Sequence, residues 1–377
     1  MSRVMPWSEF EWASTIEQTD KDEHLELYSY RECERDAPTQ KQALRGVVYS
    51  ASEPPTLIVP SFGYNPEYTE EETSTLNLPL DTYRFYLAEE GTLLRLFFHG
   101  SKWYLATHRK LDAFQSRWGN DLSFGDLFVD ALANVGEWGA TVRDARMEHF
   151  TDTLSRDTIY VFLLRSHYRW ICMPPESPTA IHIGSFVASP EGHDECQWQF
   201  DMTNPLAGFA TPTAVTFRSW QEAADHVKGI NPFSHQGVIG FTDRGASIKL
   251  MNSIYQSLSV VRGNESSLLY RYLTIRNDHL TVQQLVNMYP EKHNWFVSVE
   301  TTLMQIAFMI HAAYVNRFVK KHYVVLPARE YTLLKACHSH YLADREKNRI
   351  TLPVVHSILH QHPSVVHALI KQQWQKV

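Results

Sequence analysis

The tetrapeptide Ala88-Glu89-Glu90-Gly91 places two carboxylates directly before a glycine, at the end of the apolar run FYL. Carboxylates can hold a divalent metal ion, and a glycine lets the backbone approach a bound group closely. The same four residues are also typical of an ordinary turn between two strands, because a glutamate before a glycine is common. The tetrapeptide alone therefore cannot distinguish a catalytic motif from a turn, and the segments around it are needed.

Several further segments follow a fixed order along the chain. Arg45-Gly46, in LRGVVYS, lies about forty residues upstream of Ala88. Downstream come the segment ATHRKLDAF, the strand-like run DTIYVFLL, the peptide QGVIGF and the segment ASIKLMNSIYQSL. This order, with the apolar residues that flank each segment, is more specific than any single motif in it.

The succession resembles the RNA-ligase branch of the covalent nucleotidyltransferases, especially the RNA-repair ligase of T-even phages and ligase-like proteins of large DNA viruses. The resemblance covers roughly residues 40 to 260. It implies a lysine in KxDG that attacks the α-phosphate of ATP, an upstream Arg-Gly pair, glutamates in FEL-like and EGxV motifs, and a KxK strand. In such a site the lysine is the nucleophile, carboxylates hold the metal, and the terminal lysines offset phosphate charge.

Four positions of that pattern lack their functional group here. Ala88 stands for the nucleophilic lysine, Leu163 for the FEL-like glutamate, Gln236 for the EGxV glutamate and Met251 for the second lysine of KxK. Groups of this kind contribute roughly 2 to 5 kcal/mol each to catalysis. We therefore predict a pseudo-ligase that is not an enzyme and that uses no cofactor.

Other residues keep the types that the resemblance requires. They are predicted as a nucleotide-binding remnant, although a surface role for Arg45 and Lys249 and a structural role in the turn for Glu90 and Gly91 remain open. The remnant consists of Arg45, Glu90, Gly91 and Lys249.

The region from residue 95 to 117 is locally basic, whereas the whole chain has a net charge of −7 and a sequence pI near 6.2. An acidic chain has no general attraction for nucleic acid, so RNA would need a local patch. The candidates for RNA contacts are Arg95, Lys102, Arg109, Lys110 and Arg117. Arg109 and Lys110 are equally typical of a solvated loop.

Metal and membrane sites are not indicated. The four cysteines (Cys33, Cys172, Cys196 and Cys337) form no CxxC pair, which favours a reducing compartment. His356 and His360 are four residues apart and could share one helix face, yet no second cluster has zinc-site spacing, and we predict no metal. No apolar run approaches the roughly 18 residues that span a bilayer.

The fold class that these patterns predict is α+β. Short β-branched and aromatic runs punctuated by Gly and Pro continue to about residue 255, including a hairpin over 92–107, and helical patterns follow. A helix with Ser123 as N-cap and Gly136 as its stop is predicted in the first part. The resemblance makes residues 1–255 an ATP-grasp-like nucleotidyltransferase domain, with antiparallel sheets flanking a cleft. Residues 256–377 form an all-α C-terminal domain.

Three functions are compatible with this sequence. We expect a catalytically inactive binding, scaffold or structural protein with a protein partner or assembly, in the cytoplasm or in a virion of a large DNA virus. The second candidate is an RNA-binding protein that retains the ligase substrate surface. The third is an active ATP-dependent RNA ligase in which Lys102 or Lys110 serves as the nucleophile. Neither DNA nor a membrane is expected as a partner.

Overall fold

A computed structural model describes residues 5–119, 121–136, 141–188, 198–243 and 245–375. The chain divides into two compact units, residues 1–257 and 258–377. Cys33, Cys172 and Cys337 are free thiols, and Cys196 lies outside the described residues.

Fourteen strands are present among the described residues, all in the first unit: β1 (Ile16–Lys21), β2 (Leu25–Tyr30), β3 (Arg45–Ser50), β4 (Leu57–Val59), β5 (Glu67–Tyr68), β6 (Arg84–Ala88), β7 (Thr92–His99), β8 (Lys102–Ala106), β9 (Ile159–Arg165), β10 (Thr179–Ala188), β11 (Trp198–Asp201), β12 (Ala214–Val215), β13 (Gly237–Phe241) and β14 (Ser247–Met251). They form a first sheet in the order β1-β2-β3-β4, a second in the order β11-β10-β9-β7-β8 and a third in the order β12-β6-β13-β14-β5. All neighbouring strands are antiparallel except β14 and β5.

Alternating burial explains why these segments form strands. In β2, the alternate residues Leu25, Leu27 and Ser29 are buried while the residues that follow each of them are half-exposed, which is the two-residue period of a sheet with one covered face. The predicted hairpin is present as β7 and β8. Gly100 in its loop has a φ of +63°, a conformation that favours glycine.

Twelve helices are present among the described residues. The first five belong to the first unit: α1 (Thr39–Gln42), α2 (Glu70–Ser74), α3 (Phe124–Leu132), α4 (Arg143–Asp152) and α5 (Trp220–Gly229). The others begin at the end of that unit and make up the second: α6 (Ser253–Arg262), α7 (Leu268–Ile275), α8 (His279–Met288), α9 (His293–Tyr314), α10 (Ala328–Ala343), α11 (Leu352–His360) and α12 (Pro363–Trp374). The predicted α+β body followed by an all-α region is confirmed.

The start of α3 was predicted correctly and its end was not. Ser123 caps the helix through a capping box with Asp126, in which each side chain accepts a bond from the other residue's backbone N–H. The helix ends at Leu132, four residues before Gly136. Its buried residues Leu127, Phe128 and Leu132 pack against the second sheet, and α4 adds Phe150 to the same core.

The opposite face of the second sheet carries a core that is shared by all three sheets. Leu27 of the first sheet, Val161 and Phe186 of the second and Phe241 of the third belong to one buried cluster. Tyr86 and Ile239 of the third sheet pack against this cluster and are partly buried. The second and third sheets thus turn one face each towards a common interior.

The second unit is organised around α9, whose buried residues recur at intervals of three and four along one face. Phe296, Val299, Leu303, Ile306 and Ile310 are all at most 4% exposed. By length and composition, the helical stretch Pro290–Val319 could cross a membrane, with a window of mean hydropathy 1.3, which the sequence analysis did not anticipate. However, 44% of that window is buried inside the folded chain, and the core helix of a soluble protein passes the same test.

Candidate functional site

In the third sheet, side chains alternate between the two faces, and this alternation determines the face on which each residue predicted from the sequence lies. Phe85, Val238 and Leu250 pack against α5 on the outer face. Ala88 and Met251 both pair with Gly237 in the strand register. Ala88 is three residues from Phe85 and Met251 is one residue from Leu250, and an odd separation along a strand puts two side chains on opposite faces. Ala88 and Met251 therefore lie on the face that is directed at the shared core, which we call the inter-sheet face.

Ala88 is at the end of β6 and is 3% exposed. Its carbonyl accepts a hydrogen bond of 2.9 Å from the backbone N–H of Gln236. The two positions predicted from the sequence to stand for the nucleophilic lysine and the EGxV glutamate are therefore direct neighbours in this fold. Here they present a methyl group and an amide.

Glu89 forms a small ionic cluster beside Ala88. Its carboxylate lies 3.0 Å from the guanidinium of Arg165 and 3.1 Å from Nε2 of His235. Its backbone carbonyl accepts a bond of 3.2 Å from the side-chain amide of Gln236. The Glu89, Arg165 and His235 side chains are only 15 to 25% exposed, and the Arg165 guanidinium supplies the charge opposite to that of the carboxylate.

Glu90 anchors three separate parts of the first unit. One carboxylate oxygen accepts hydrogen bonds from the backbone N–H groups of Ile171 (3.2 Å) and Cys172 (3.0 Å). The other accepts a bond of 2.6 Å from the hydroxyl of Tyr255 at the start of α6. Burial, followed by the nearby charge of Glu90, raises the pKa of Tyr255 and that of the Cys172 thiol. Both groups are thus held in their neutral, donor forms.

Gly91 allows β7 to run close against β9. A Cβ atom at this position would lie 2.7 Å from the carbonyl oxygen of Leu164 and 2.8 Å from Cγ of Leu163. No side chain can be accommodated at such distances without displacing the strand. The glycine therefore has a packing function that needs no ligand.

Lys249 projects from β14 on the inter-sheet face and is engaged on both sides. Its ammonium group donates a short hydrogen bond to Oε1 of Gln236 and lies 3.7 Å from the carboxylate of Glu67. The side chain is 15% exposed. Burial lowers the pKa of Lys249, and the Glu67 carboxylate opposes that shift.

The remaining two degenerate positions, Leu163 and Met251, carry apolar side chains. Leu163 pairs with Leu93 in the register of β9 and β7, and both pack against the shared core. Met251 is 4% exposed. A glutamate at Leu163 would place a charge among apolar side chains, and a lysine at Met251 would place one at a buried position.

Arg45 is exposed at the start of β3, close to the loop after β8. A Cβ atom on its neighbour Gly46 would lie 2.7 Å from Cα of His108, so the two segments are in contact. The charges of Arg45 and Arg109 both lower the pKa of His108, after the larger effect of burial. Arg45 also contributes to lowering the pKa of Lys249. This places its guanidinium within electrostatic range of the inter-sheet face.

The predicted RNA contacts divide into three groups. Arg95 is 2% exposed, and its guanidinium donates to the backbone carbonyls of Gly46, Pro60 and Thr107. A buried guanidinium of this kind cannot contact a phosphate, so the expectation for Arg95 is corrected. It ties the second sheet to the first.

Lys102 and Lys110 remain on the surface but have acidic partners. The ammonium group of Lys102 lies 3.4 Å from Asp22, and that of Lys110 lies 3.3 Å from Asp20. Arg109 and Arg117 are exposed, and no ion pair involving either is present among the described residues. The local excess of positive charge is therefore smaller than the sequence indicated.

The described residues contain no group of three or more His, Cys, Asp or Glu side chains that could hold a metal ion. His356 and His360 do share one face of α11, yet both ring Nε2 atoms are directed at the guanidinium of Arg276, which also pairs with Glu300. The positively charged guanidinium of Arg276 occupies the position where a metal ion bound by the two histidines would have to lie. The histidine pair is part of a polar contact inside the helical unit.

The sequence did not reveal Arg165, His235, Glu67 and Tyr255 as parts of this site. Their partners are distant in the chain, by 165 residues in the case of Tyr255 and Glu90. Glu67 lies in the acid-rich segment 64–75, which reads as an exposed loop. Only the pairing of β5 with β14 brings it beside Lys249.

Comparison with known proteins gives relatives from iridoviruses. The "Immediate-early protein ICP-46 homolog" of Invertebrate iridescent virus 6 is 29% identical over 368 residues, covering 88% of this chain and 77% of that relative. The protein of the same name from Invertebrate iridescent virus 3 is 26% identical and covers 81% of this chain and 67% of the relative. "Immediate-early protein ICP-46" of Frog virus 3 is 24% identical, covering 58% and 54%. These relatives bear out the predicted link to large DNA viruses.

The solved structures that resemble the chain belong to the predicted class of ATP-dependent ligases. A protein of Aquifex aeolicus assigned as an ATP-dependent DNA ligase has a TM-score of 0.40 at 10% identity, with 76% of each chain covered. An archaeal ATP-dependent RNA ligase has a TM-score of 0.38 at 10% identity, with 71% of this chain and 65% of that chain covered. No protein-family model matches the chain.

Proposed function

We propose that this chain is a catalytically inactive ligase-like protein that acts by binding. The proposal is supported by Ala88, which the resemblance assigns to the position of the nucleophile and which is buried and hydrogen-bonded through its backbone to Gln236. A lysine that accepts AMP would have to extend from this point. A methyl group has no atom that can attack a phosphate.

The residues around Ala88 do not fit the divalent metal ion and ATP that the ligase resemblance implies. Leu163 and Gln236 offer no carboxylate. Glu90 already accepts three hydrogen bonds, and Glu89 is paired with Arg165 and with His235. A metal ion would have to break these contacts to obtain its anionic oxygen ligands.

Lys249 shares two properties with lysine nucleophiles, because it is buried and its pKa is lowered. A lysine nucleophile needs a free lone pair aimed at the substrate. The Lys249 ammonium is instead directed at Gln236 and Glu67, both of which favour its charged form. We therefore assign it to the structural pairing of β14 with its neighbours.

Adenylylation is the direct test. The full chain incubated with α-labelled ATP and magnesium or manganese should form no covalent AMP adduct. A labelled band that persists after denaturation would overturn the proposal. Lys249→Met, Lys102→Met and Lys110→Met would then identify the lysine that carries it.

Restoration provides a second test of the same site. Ala88→Lys alone should leave adenylylation undetectable, because the metal carboxylates are absent as well. The combination of Ala88→Lys, Leu163→Glu, Gln236→Glu and Met251→Lys should give at most a trace, after circular dichroism has shown that it folds. Strong labelling of the single variant would mean that the metal positions are wrongly assigned.

The proposed mode of action is binding to a protein partner or assembly in the infected cell, in keeping with the viral relatives. RNA is the second candidate, supported by the exposed Arg109 and Arg117 and by the exposed Arg45, whose neighbour Gly46 lies against His108. If RNA is the ligand, Arg109→Gln with Arg117→Gln should reduce the slope of log affinity against log salt by about 1 to 2. Lys21→Gln with Lys228→Gln is the matched control in the same unit.

A further inference from the structure

The segment between Glu300 and Glu330 is free of acidic residues. Its 29 residues, 301–329, contain Arg317, Lys320, Lys321 and Arg329 but no Asp or Glu, in a chain with 42 acidic residues among 377. At the average frequency about three would be expected. The segment includes the second half of α9, the π-helical turn Val315–Val319 and the connection to α10.

The connection after α9 exposes three large apolar side chains within seven residues, 319–325. Tyr323 is 90% exposed, Val325 is 74% exposed and Val319 is 66% exposed. Single exposed apolar residues are normal on a protein surface, whereas a cluster of them marks a contact site. We refer to residues 319–325 as the basic apolar loop.

Hydrogen bonds hold this loop in a defined shape. The guanidinium of Arg317 donates to the carbonyl of Val324 at 3.0 Å. The backbone N–H of His322 donates to the carbonyl of Asn316 at 2.9 Å, and Lys321 has a φ of +59°. The exposed side chains are therefore presented by fixed backbone.

The loop is also cationic. Lys320 and Lys321 are exposed, and neither forms an ion pair with a carboxylate of the described residues. On the neighbouring helix α10, His338 stacks on Phe318 with ring centroids 3.9 Å apart. Burial, then the charges of Arg345 and Lys321, lower the pKa of His338.

An exposed apolar face continues from the loop along α9. Phe308 is 55% exposed, Met304 is 41% exposed and Val297 is 52% exposed. At helical spacing these residues lie on one side, opposite the buried stripe of the same helix. The only charged side chain of α9 between Asn294 and Tyr314 is Glu300, which pairs with Arg276.

We propose that the basic apolar loop is a peripheral attachment site for an anionic lipid surface. Lysines beside exposed aliphatic and aromatic side chains match the phosphate groups and the acyl boundary of such a surface. Phosphates of a nucleic acid would satisfy the lysines but would leave the valines in water. The inference is independent of the proposed loss of catalysis, since it uses no residue of the inter-sheet face.

Vesicle co-sedimentation of the full chain tests the proposal. Vesicles of phosphatidylcholine with about 30% phosphatidylserine should bind the protein, and pure phosphatidylcholine should bind it far less. Lys320→Gln with Lys321→Gln should lower the partition coefficient roughly 25-fold, at about fivefold per lysine near the surface. Tyr323→Ser with Val325→Ser should lower it by about tenfold or more.

Matched controls separate the loop from general effects of charge and polarity. Lys21→Gln with Lys228→Gln removes the same charge from the first unit. Val260→Ser with Leu280→Ser removes two apolar side chains that are 71% and 75% exposed elsewhere. Both controls should bind vesicles as the original chain does.

Several outcomes would overturn the attachment site. The first is that the full chain fails to bind anionic vesicles, and the second is that the loop variants and the control variants lose the same amount of vesicle binding. The third is that bound protein resists extraction by high salt and alkaline carbonate, because this would indicate insertion of α9 into the bilayer. A polyglutamate peptide that binds through Lys320 and Lys321 while vesicles do not would assign the loop to an acidic protein partner. The adenylylation assay has no bearing on any of these results.

Discussion

At the scale of single residues, several positions found from motif order lie close together, and their side chains make contacts within the fold. Glu90 is the clearest case, since it accepts bonds from Ile171, Cys172 and Tyr255 and so joins a turn, a loop and a helix. The sequence could indicate a carboxylate at this point. It could not indicate the donors, which lie 81 to 165 residues away.

This arrangement predicts a stability effect for Glu90→Gln. The variant keeps the size of the side chain but replaces one accepting oxygen by a donating NH₂ group, which would either face the two backbone N–H groups or leave the Tyr255 hydroxyl proton without its acceptor. The free energy of unfolding should fall by about 1 to 3 kcal/mol, the cost of buried polar groups without partners. Urea denaturation followed by circular dichroism measures it.

Glu32→Gln is the matched control, because Glu32 is an exposed loop residue of the same unit. Its unfolding midpoint should be unchanged. If Glu90→Gln were as stable as the control yet lost affinity for a nucleotide, Glu90 would be a ligand contact and not an anchor.

At the scale of secondary structure, local patterns and long-range contacts differ in how far they can be predicted. The β7–β8 hairpin and the N-cap of α3 follow from residues within a few positions of each other. The surface charge around Lys102 and Lys110 cannot be predicted in this way. The partner of Lys102 is Asp22, in the turn after β1 and 80 residues away, and the partner of Lys110 is Asp20, in β1 and 90 residues away. Arg95 was misassigned for the same reason, since a strand sequence does not show which carbonyls surround it.

The close approach of β7 and β9 at Gly91 gives a prediction at this scale. Gly91→Ala would place a methyl group 2.7 Å from the Leu164 carbonyl oxygen, and moving the strand to relieve that contact would disturb the shared core. The expected loss in free energy of unfolding is about 1 to 3 kcal/mol. Thermal or urea unfolding of the purified variant provides the measurement.

Gly229→Ala serves as the comparison for this substitution. Gly229 ends α5, and nothing lies within 4 Å of a Cβ atom built there. Alanine at that position should be neutral or slightly stabilising, because it reduces the freedom of the unfolded chain. Equal effects at the two glycines would argue against tight packing at Gly91.

At the scale of the whole molecule, composition predicted a chain with two units and an α+β first part, because the change from short strands to long helices is visible in the sequence. Composition could not show which polar side chains the core would enclose. His182 of β10 is one of them, at 1% exposure. The backbone N–H of Leu206 donates to its Nδ1 at 3.1 Å, so the ring proton is assigned to Nε2, which donates to the Ser185 hydroxyl at 3.2 Å.

This enclosed histidine makes the stability of the first unit depend on pH. Burial lowers the pKa of His182 from 6.5 to about 4, so the ring binds a proton in the unfolded chain at pH values where the folded chain keeps it neutral. The contribution of the neutral His182 ring to the free energy of unfolding is therefore fully present above about pH 6.5 and is lost as the pH falls towards 4, by about 3 kcal/mol at pH 4.

His182→Asn, which cannot titrate but can still accept from Leu206, should flatten the dependence of the unfolding free energy on pH by about one proton. A slope for His182→Asn equal to that of the original chain would show that His182 is not the group that titrates.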